Sequence, residues 1–274
     1  MNVQNDLLVN TEWLENNIFN DSVRLIDCGY PDAYERAHLP GAVGLEDNYL
    51  KNSAFGNLHI ATAKQIQTLL ESFGVSNEMQ IIVYDNRAGV YASRFWWVLA
   101  YYGYYNVKVL DGGWEKWIQE NRKIESKIPI YSPSKFNIPL PEGDQTLIAR
   151  KDHVIEVCED NRTVIWDCRS KQEYYGTETR GNKRLGHMPN AQNLEWSNMV
   201  NRPGNDTFRN RKDILHALSR INIKDKQTNV ITYCQAGIRA AHAMFVLKLM
   251  GFEKVKNYDG SWKEWGNVDD TPII

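Results

Sequence analysis

Hydrophobic positions along this chain fall into two alternating patterns. Short β-branched runs, VRLID (23–27), QIIVYD (80–85), TVIWD (163–167) and NVITYC (229–234), have the length and composition of buried strands. Between them lie stretches of helical period. In TAKQIQTLLESFG (62–74), Ile66, Leu69, Leu70 and Phe73 share one face, with Thr62 placed as a cap and Gly74 as a stop. RKDILHALSRI (211–221) follows the same pattern, and AAHAMFVLKLMG (240–251) also ends on glycine. Strand–helix alternation predicts an α/β fold of mostly parallel sheets flanked by helices. In such folds ligands gather at the carboxyl ends of the strands.

The pattern occurs twice. RLIDCGYPDAYERAHLPGA (24–42) matches VIWDCRSKQEYYGTETRGNKRLGHMPNA (164–191), with Asp27-Cys28 on Asp167-Cys168 and His38 on His187. Asp27 to His38 is 11 residues and Asp167 to His187 is 20, so the second copy carries nine more. The segments 81–117 and 230–265 then match, Tyr84 on Tyr233, Asp111-Gly112 on Asp259-Gly260, and Trp114 and Trp117 on Trp262 and Trp265. Two matched segments in the same order indicate a duplicated domain rather than a short solenoid repeat. Between the copies, residues 123–146 contain Pro129, Pro133, Pro139 and Pro141, which favour extended chain and read as a semi-rigid linker. The expected domains are therefore 1–122 and 147–274. RFWWVLAYYGYY (94–105) is placed to pack on sheet and linker.

Composition narrows the partners. Of 274 residues 42% are hydrophobic, enough for cores that need no staples. A formal net charge of −2 disfavours nucleic acid or an anionic membrane as the main partner. No run of about 18 apolar residues is present. The segment MNVQNDLLVNTEWLENN lacks the basic and apolar regions of a signal peptide. Cys28, Cys158, Cys168 and Cys234 form no CxxC or Cys/His metal pattern. A soluble cytoplasmic protein with free thiols, no metal and no organic cofactor is expected.

Cys234 stands where a strand gives way to a helix, followed by Gln235, Ala236, Gly237, Ile238 and Arg239. Backbone N–H groups at such a turn can converge on one point, and the helix dipole adds to their positive field. A thiolate at the centre would be stabilised, Gly237 would allow the tight curvature, and Arg239 would add a full charge. An activated nucleophile is the reading that uses all of these features. The matching position in the first copy is Asp85, so only one copy keeps the cysteine. Cysteine-dependent phosphatases place five residues between Cys and Arg. Here four intervene, a smaller ring that suits one extra sulfur atom.

With its duplicated segments, its LDGGWEKW and YDGSWKEW repeats, and one six-residue loop opening with cysteine, the chain resembles the two-domain rhodanese family over nearly its full length. That family comprises thiosulfate and 3-mercaptopyruvate sulfurtransferases. The resemblance implies a catalytic second domain with a persulfide on Cys234 and a silent first domain. It also implies a small anionic sulfur donor and a thiol, cyanide or protein-thiol acceptor. A sulfur carrier serving a protein partner shares this chemistry, and a cysteine phosphatase is the remoter alternative. Gln235 and Ala236 fit neither the Cys-Arg-Lys-Gly loop of thiosulfate enzymes nor the Cys-Gly-Ser/Thr-Gly loop of mercaptopyruvate enzymes. Arg180, seven residues before His187, falls where mercaptopyruvate enzymes carry a carboxylate-binding arginine. Arg180, Arg184 and Arg239 are the expected donor-binding residues, with Arg239 weighing more for thiosulfate. Asp167 and Arg169 match the family's Asp-x-Arg pair and read as a brace. Cys28, Cys158, Cys168, His38, His187 and His242 read as structural.

Overall fold

The computed structural model describes residues 7–53, 56, 58–160 and 162–274. It separates into two compact units. The first takes the described residues of Met1–Ser53, Ile60–Asp144 and Asn201–Phe208; the second takes those of Ala54–His59, Gln145–Val200 and Arg209–Ile274.

In the first unit, strands β1 (Leu8–Val9), β2 (Val23–Asp27), β3 (Val43–Gly44), β4 (Gln80–Tyr84) and β5 (Val107–Leu110) form one sheet in the order β1-β5-β4-β2-β3. Its helices are α1 (Thr11–Asn17), α2 (Pro31–Arg36), α3 (Ala63–Ser72), α4 (Val90–Tyr101) and α5 (Gly113–Gln119). In the second unit, β6 (Ile148–Ala149), β7 (Thr163–Asp167), β8 (Ala191–Asn193), β9 (Asn229–Tyr233) and β10 (Val255–Tyr258) are ordered β6-β10-β9-β7-β8. The accompanying helices are α6 (Lys151–Cys158), α7 (Lys171–Tyr174), α8 (Arg211–Ser219), α9 (Ile238–Met250) and α10 (Ser261–Trp265). Replacing each strand of the first sheet by its repeat reproduces the second order, and every pairing in both sheets is parallel. Even the register repeats, with Asp27 opposite Tyr84 and Asp167 opposite Tyr233.

Local chemistry explains the elements. Thr62 and Gln65 close a capping box on α3, Ile66 and Leu70 are buried beneath it, and Gly74 stops it at φ +66°. The aromatic α4 is buried at all twelve positions, and α9 at all but Arg239 and Lys248, as expected of helices that are apolar all round. The proline-rich stretch is extended and packs on the first unit. Several of its N–H groups find acceptors there, Ser134 on Glu71 O at 3.1 Å, Leu140 on Tyr102 O at 3.0 Å and Asp144 on Tyr101 O at 2.7 Å. Phe136 and Ile138 are buried as it passes. Among the described residues no helix is long and apolar enough to cross a membrane.

Candidate active site

Cys234 lies one residue beyond β9, and Gln235, Ala236 and Gly237 carry the chain into α9. Gly237 caps that helix at φ +80°, and a Cβ on it would come within 2.5 Å of the Asp259 carboxylate. Both constraints demand glycine. The loop carbonyls are held from the start of α10: Trp262 N–H donates to Cys234 O at 3.0 Å and Lys263 N–H to Gln235 O at 2.8 Å. The N–H groups of Gln235, Ala236, Gly237, Ile238 and Arg239 have no acceptor among the described residues. An anion at the helix N-terminus is what such donors accommodate. The Cys234 side chain is buried, and its own N–H donates to Ser261 Oγ at 3.1 Å.

The first unit holds an anion in the matching place. Asp85 Oδ1 accepts from Arg87 N at 2.8 Å and Gly89 N at 2.9 Å, and Oδ2 from Tyr91 N at 2.6 Å and Ala92 N at 2.9 Å. Gly89 caps α4 at φ +80°, as Gly237 caps α9. Counted from those caps, Tyr91 and Ala92 correspond to Arg239 and Ala240. Four steps separate Asp85 from Gly89 and three separate Cys234 from Gly237, so the first loop is one residue longer and reaches its own helix N-terminus with a carboxylate.

Two of the three expected donor arginines are engaged elsewhere. Both Nη atoms of Arg239 bind the Glu173 carboxylate, at 2.7 and 2.8 Å, so this residue is not the open anion ligand anticipated from the sequence. Burial alone would raise the Glu173 carboxyl, but the Arg239 hydrogen bonds and charge, the Ser170 N–H and Arg180 outweigh it and hold it at about 2. Burial disfavours the Arg239 charge, yet Glu173 and a thiolate on Cys234 keep the guanidinium firmly protonated. Arg184 donates to Trp265 O and Thr271 O, each at 2.8 Å, and also to Thr271 Oγ1. These bonds pin the C-terminal segment, partners that the sequence of the insert does not foreshadow. Arg180 is the arginine left half-exposed, with Nε 3.1 Å from both Glu173 and Glu178.

Three residues of the site escaped sequence reasoning. Glu173 is the buried partner of Arg239. Ser261 sits at φ +50° with its hydroxyl between Cys234 N and Tyr258 O. Asn182 pairs with Gln235. Only Ser261 left a readable signal, since the first copy has Gly113 at that position with φ +46°. A serine retained where the backbone prefers glycine marks a side chain with work to do.

The remaining polar groups are engaged within the fold. Arg169 is buried, binds Asp167 through Nε and Nη2, and stands 4.3 Å over the Trp262 ring, while Tyr233 OH donates to Asp167 Oδ2 at 2.5 Å. These contacts lock β7 to β9 beside the cysteine loop. His38 stacks on Tyr34 and bonds its carbonyl at 2.9 Å; His187 does the same with Tyr174 at 3.0 Å. His242 is buried edge-on to Trp196. Cys28, Cys158 and Cys168 are buried too. Burial pushes all three thiols up, Cys158 to about 11, helped by Asp85 at Cys28 and by Cys234 and Asp167 at Cys168. Among the described residues no group of three or more His, Cys, Asp or Glu could hold a metal.

Comparison with known proteins bears on this site. The model of the rhodanese-like domain matches the chain twice, at residues 10–120 and 133–267. A protein named sulfur carrier protein TtuD, from Thermus thermophilus, is 31% identical over 98% of this chain and 96% of its own length. A thiosulfate sulfurtransferase of Corynebacterium glutamicum is 30% identical over 97% of this chain and 89% of that one. A putative thiosulfate sulfurtransferase of Saccharopolyspora erythraea is also 30% identical, covering 98% and 96%. Among solved structures, wild-type EanB shares the fold, with a TM-score of 0.88 at 24% identity over 99% of this chain and 70% of that one. An anaerobic ergothioneine biosynthesis enzyme from Chlorobium limicola gives 0.87 at 24%, covering 98% and 70%.

Proposed function

The chain belongs to the rhodanese-like family, and on that premise we propose that it is a sulfurtransferase working through a persulfide on Cys234. The observation that carries the reading is the shared cradle: the N–H set that holds the Asp85 carboxylate in the first unit is left open beside Cys234 in the second. A thiolate, and then a persulfide anion, are guests of that kind. The first unit is catalytically silent in this reading, because a carboxylate fills its cradle and no thiol stands there.

The reaction has two steps. The Cys234 thiolate attacks the outer sulfur of thiosulfate; the sulfur–sulfur bond of the donor breaks and sulfite leaves with the electron pair. With 3-mercaptopyruvate the bond broken is carbon–sulfur, and the pyruvate enolate leaves and takes up a proton. An acceptor thiol or cyanide then attacks the outer sulfur of the persulfide, and Cys234 departs as the thiolate. Thiosulfate is taken as a donor of modest efficiency, since the side chains of Gln235, Ala236, Gly237 and Ile238 bring no charge to the loop. Arg180, rather than Arg239 or Arg184, meets the donor's anionic end. Arg239 supplies a fixed positive charge balanced by Glu173. A reactive free thiol of this type suits the reducing cytoplasm.

A second reading, a sulfur carrier that passes the persulfide to a protein thiol, is favoured by the Thermus relative and uses the same first step. Neither reading is a phosphatase, because an arginine with both Nη atoms on Glu173 is not turned to a phosphate. Mass spectrometry of the intact protein after separate incubation with thiosulfate and mercaptopyruvate tests the proposal. One added sulfur, located on the Cys234 peptide, is expected; no addition from either donor would refute it.

A further inference from the structure

The part of the second copy that has no counterpart in the first is tied to the cysteine loop by a reciprocal pair of side-chain hydrogen bonds. Asn182 Nδ2 donates to Gln235 Oε1 at 3.1 Å, and Gln235 Nε2 donates back to Asn182 Oδ1 at 3.0 Å. Asn267 Nδ2 donates to the same Asn182 oxygen at 3.0 Å, and Lys183 N–H donates to Asn267 Oδ1 at 3.0 Å. Asn182 also closes the turn before it, with its N–H and Nδ2 both on Thr179 O, at 3.0 and 2.8 Å. Inside that turn stands Arg180, at φ +45°. A non-glycine residue in the left-handed region persists where its surroundings over-determine it.

From Arg180 the contacts lead back to the loop. Its Nε is 3.1 Å from Glu173 Oε1, and Arg239 Nη2 is 2.8 Å from the same oxygen. Gln235 and Asn182 are thus joined to Arg180 through the Thr179–Asn182 turn, Arg180 to Arg239 through Glu173, and Arg239 back to Gln235 along the cysteine loop. Arg239 is neutralised by the Glu173 carboxylate, which grips it with both oxygens. Arg180 keeps its side chain 46% exposed, and its two partners are carboxylates, which shows the kind of group its surroundings let it bind.

We propose that the Asn182–Gln235 amide pair is a latch that positions Arg180 at the mouth of the Cys234 loop, so that small carboxylate-bearing reagents are selected by a residue outside the loop. The residue following the cysteine would give attraction directly if it were basic; here a neutral amide brings in a cation from the insert instead. Asn182 and Gln235 are positioning residues, acting through Arg180. The inference rests on Cys234 being the reacting atom of the proposed transfer, but its test does not need sulfur transfer to occur.

The test compares site-resolved alkylation of Cys234 by iodoacetate and by iodoacetamide at one pH and low salt. Both reagents lose iodide to the thiolate, and only iodoacetate carries a charge. The ratio of the two rates therefore reports the field at the thiol and is unmoved by a general change in access or thiol ionisation. Gln235→Ala, Asn182→Ala and Arg180→Ala are each expected to lower the ratio about threefold, the size of a partly screened surface charge. In an Arg180→Ala background, Gln235→Ala should lower it no further. The exchanged pair Asn182→Gln with Gln235→Asn preserves a reciprocal amide contact and should restore the wild-type ratio. Unchanged ratios in Gln235→Ala and Asn182→Ala, or a further fall in the Arg180→Ala background, would overturn the latch. Failure of sulfur uptake in the wild-type protein would count against the proposed function while leaving this ratio fully readable.

Discussion

The Asp85 carboxylate accepts the backbone N–H of Tyr91 at 2.6 Å, at the turn where the duplicated chain carries Cys234. The first half thus holds an oxygen anion at its helix N-terminus, where the second half has a cysteine. Asp85 also accepts from Arg87, Gly89 and Ala92, so all four bonds fall on one buried carboxylate.

Asp85→Asn keeps the shape but turns an NH2 group toward N–H donors. Because hydrogen bonds to a charged group contribute about 1.5–3 kcal/mol each, with strong non-additivity, the first unit should lose about 3 kcal/mol. Hydrogen exchange across β4 and α4 would read this loss, while the rate of sulfur uptake at Cys234 should stay within twofold of wild type, a change smaller than about 0.5 kcal/mol. Equal stability in the variant would show that the carboxylate is not what the cradle needs.

Cys234→Ser should take up no sulfur from either donor and keep its melting temperature, since an alkoxide does not form a transferable persulfide. Cys28→Ala, Cys158→Ala and Cys168→Ala should retain uptake, because each thiol is buried and held in its protonated form. Mass spectrometry of the four variants decides, and uptake surviving in Cys234→Ser would move the nucleophile elsewhere.

Glu173 links acid stability to the site. Its folded pKa, about 2, lies below the ordinary value of 4.5, so its contribution is fully present above 4.5 and disappears as pH falls from there toward 2. A shift of that size corresponds to about 3 kcal/mol. Melting temperatures measured from pH 7 to pH 3 should fall more gently for Glu173→Gln than for wild type, from a lower starting point at pH 7. Parallel curves for the two proteins would remove Glu173 from this account.

Ser261→Gly separates positioning from stability. Glycine relieves the φ +50° backbone, a gain of about 1 kcal/mol, and loses a hydroxyl bond of similar size. The melting temperature should therefore barely move. Sulfur uptake should slow about tenfold, equivalent to about 1.4 kcal/mol, because the Cys234 N–H loses its acceptor and the loop its anchor. A wild-type rate would assign Ser261 to folding alone.

Much of this protein is written along the chain. Periods of two kinds, a strand-to-helix alternation and the internal repeat reveal two parallel α/β units, because burial of one face imposes a spacing that any single sequence displays. The cysteine at the end of a strand, the glycine three residues on and the aspartate in its place in the first copy are legible for the same local reason: a turn of three or four residues is set by its own backbone. The arginines are different. Arg239, Arg184 and Arg180 all read as cations free to meet an anion, yet Arg239 is closed on Glu173, 66 residues away, and Arg184 on Thr271, 87 residues away. Which cation stays open depends on which carboxylate or carbonyl folding brings within about 3 Å, and no spacing along the chain records that distance. The sequence by itself determined the architecture and the place of Cys234 in the turn between β9 and α9; only the tertiary structure decided how charge is shared around that turn, because ion pairs form between elements whose neighbours are chosen by the sheet order and not by the chain.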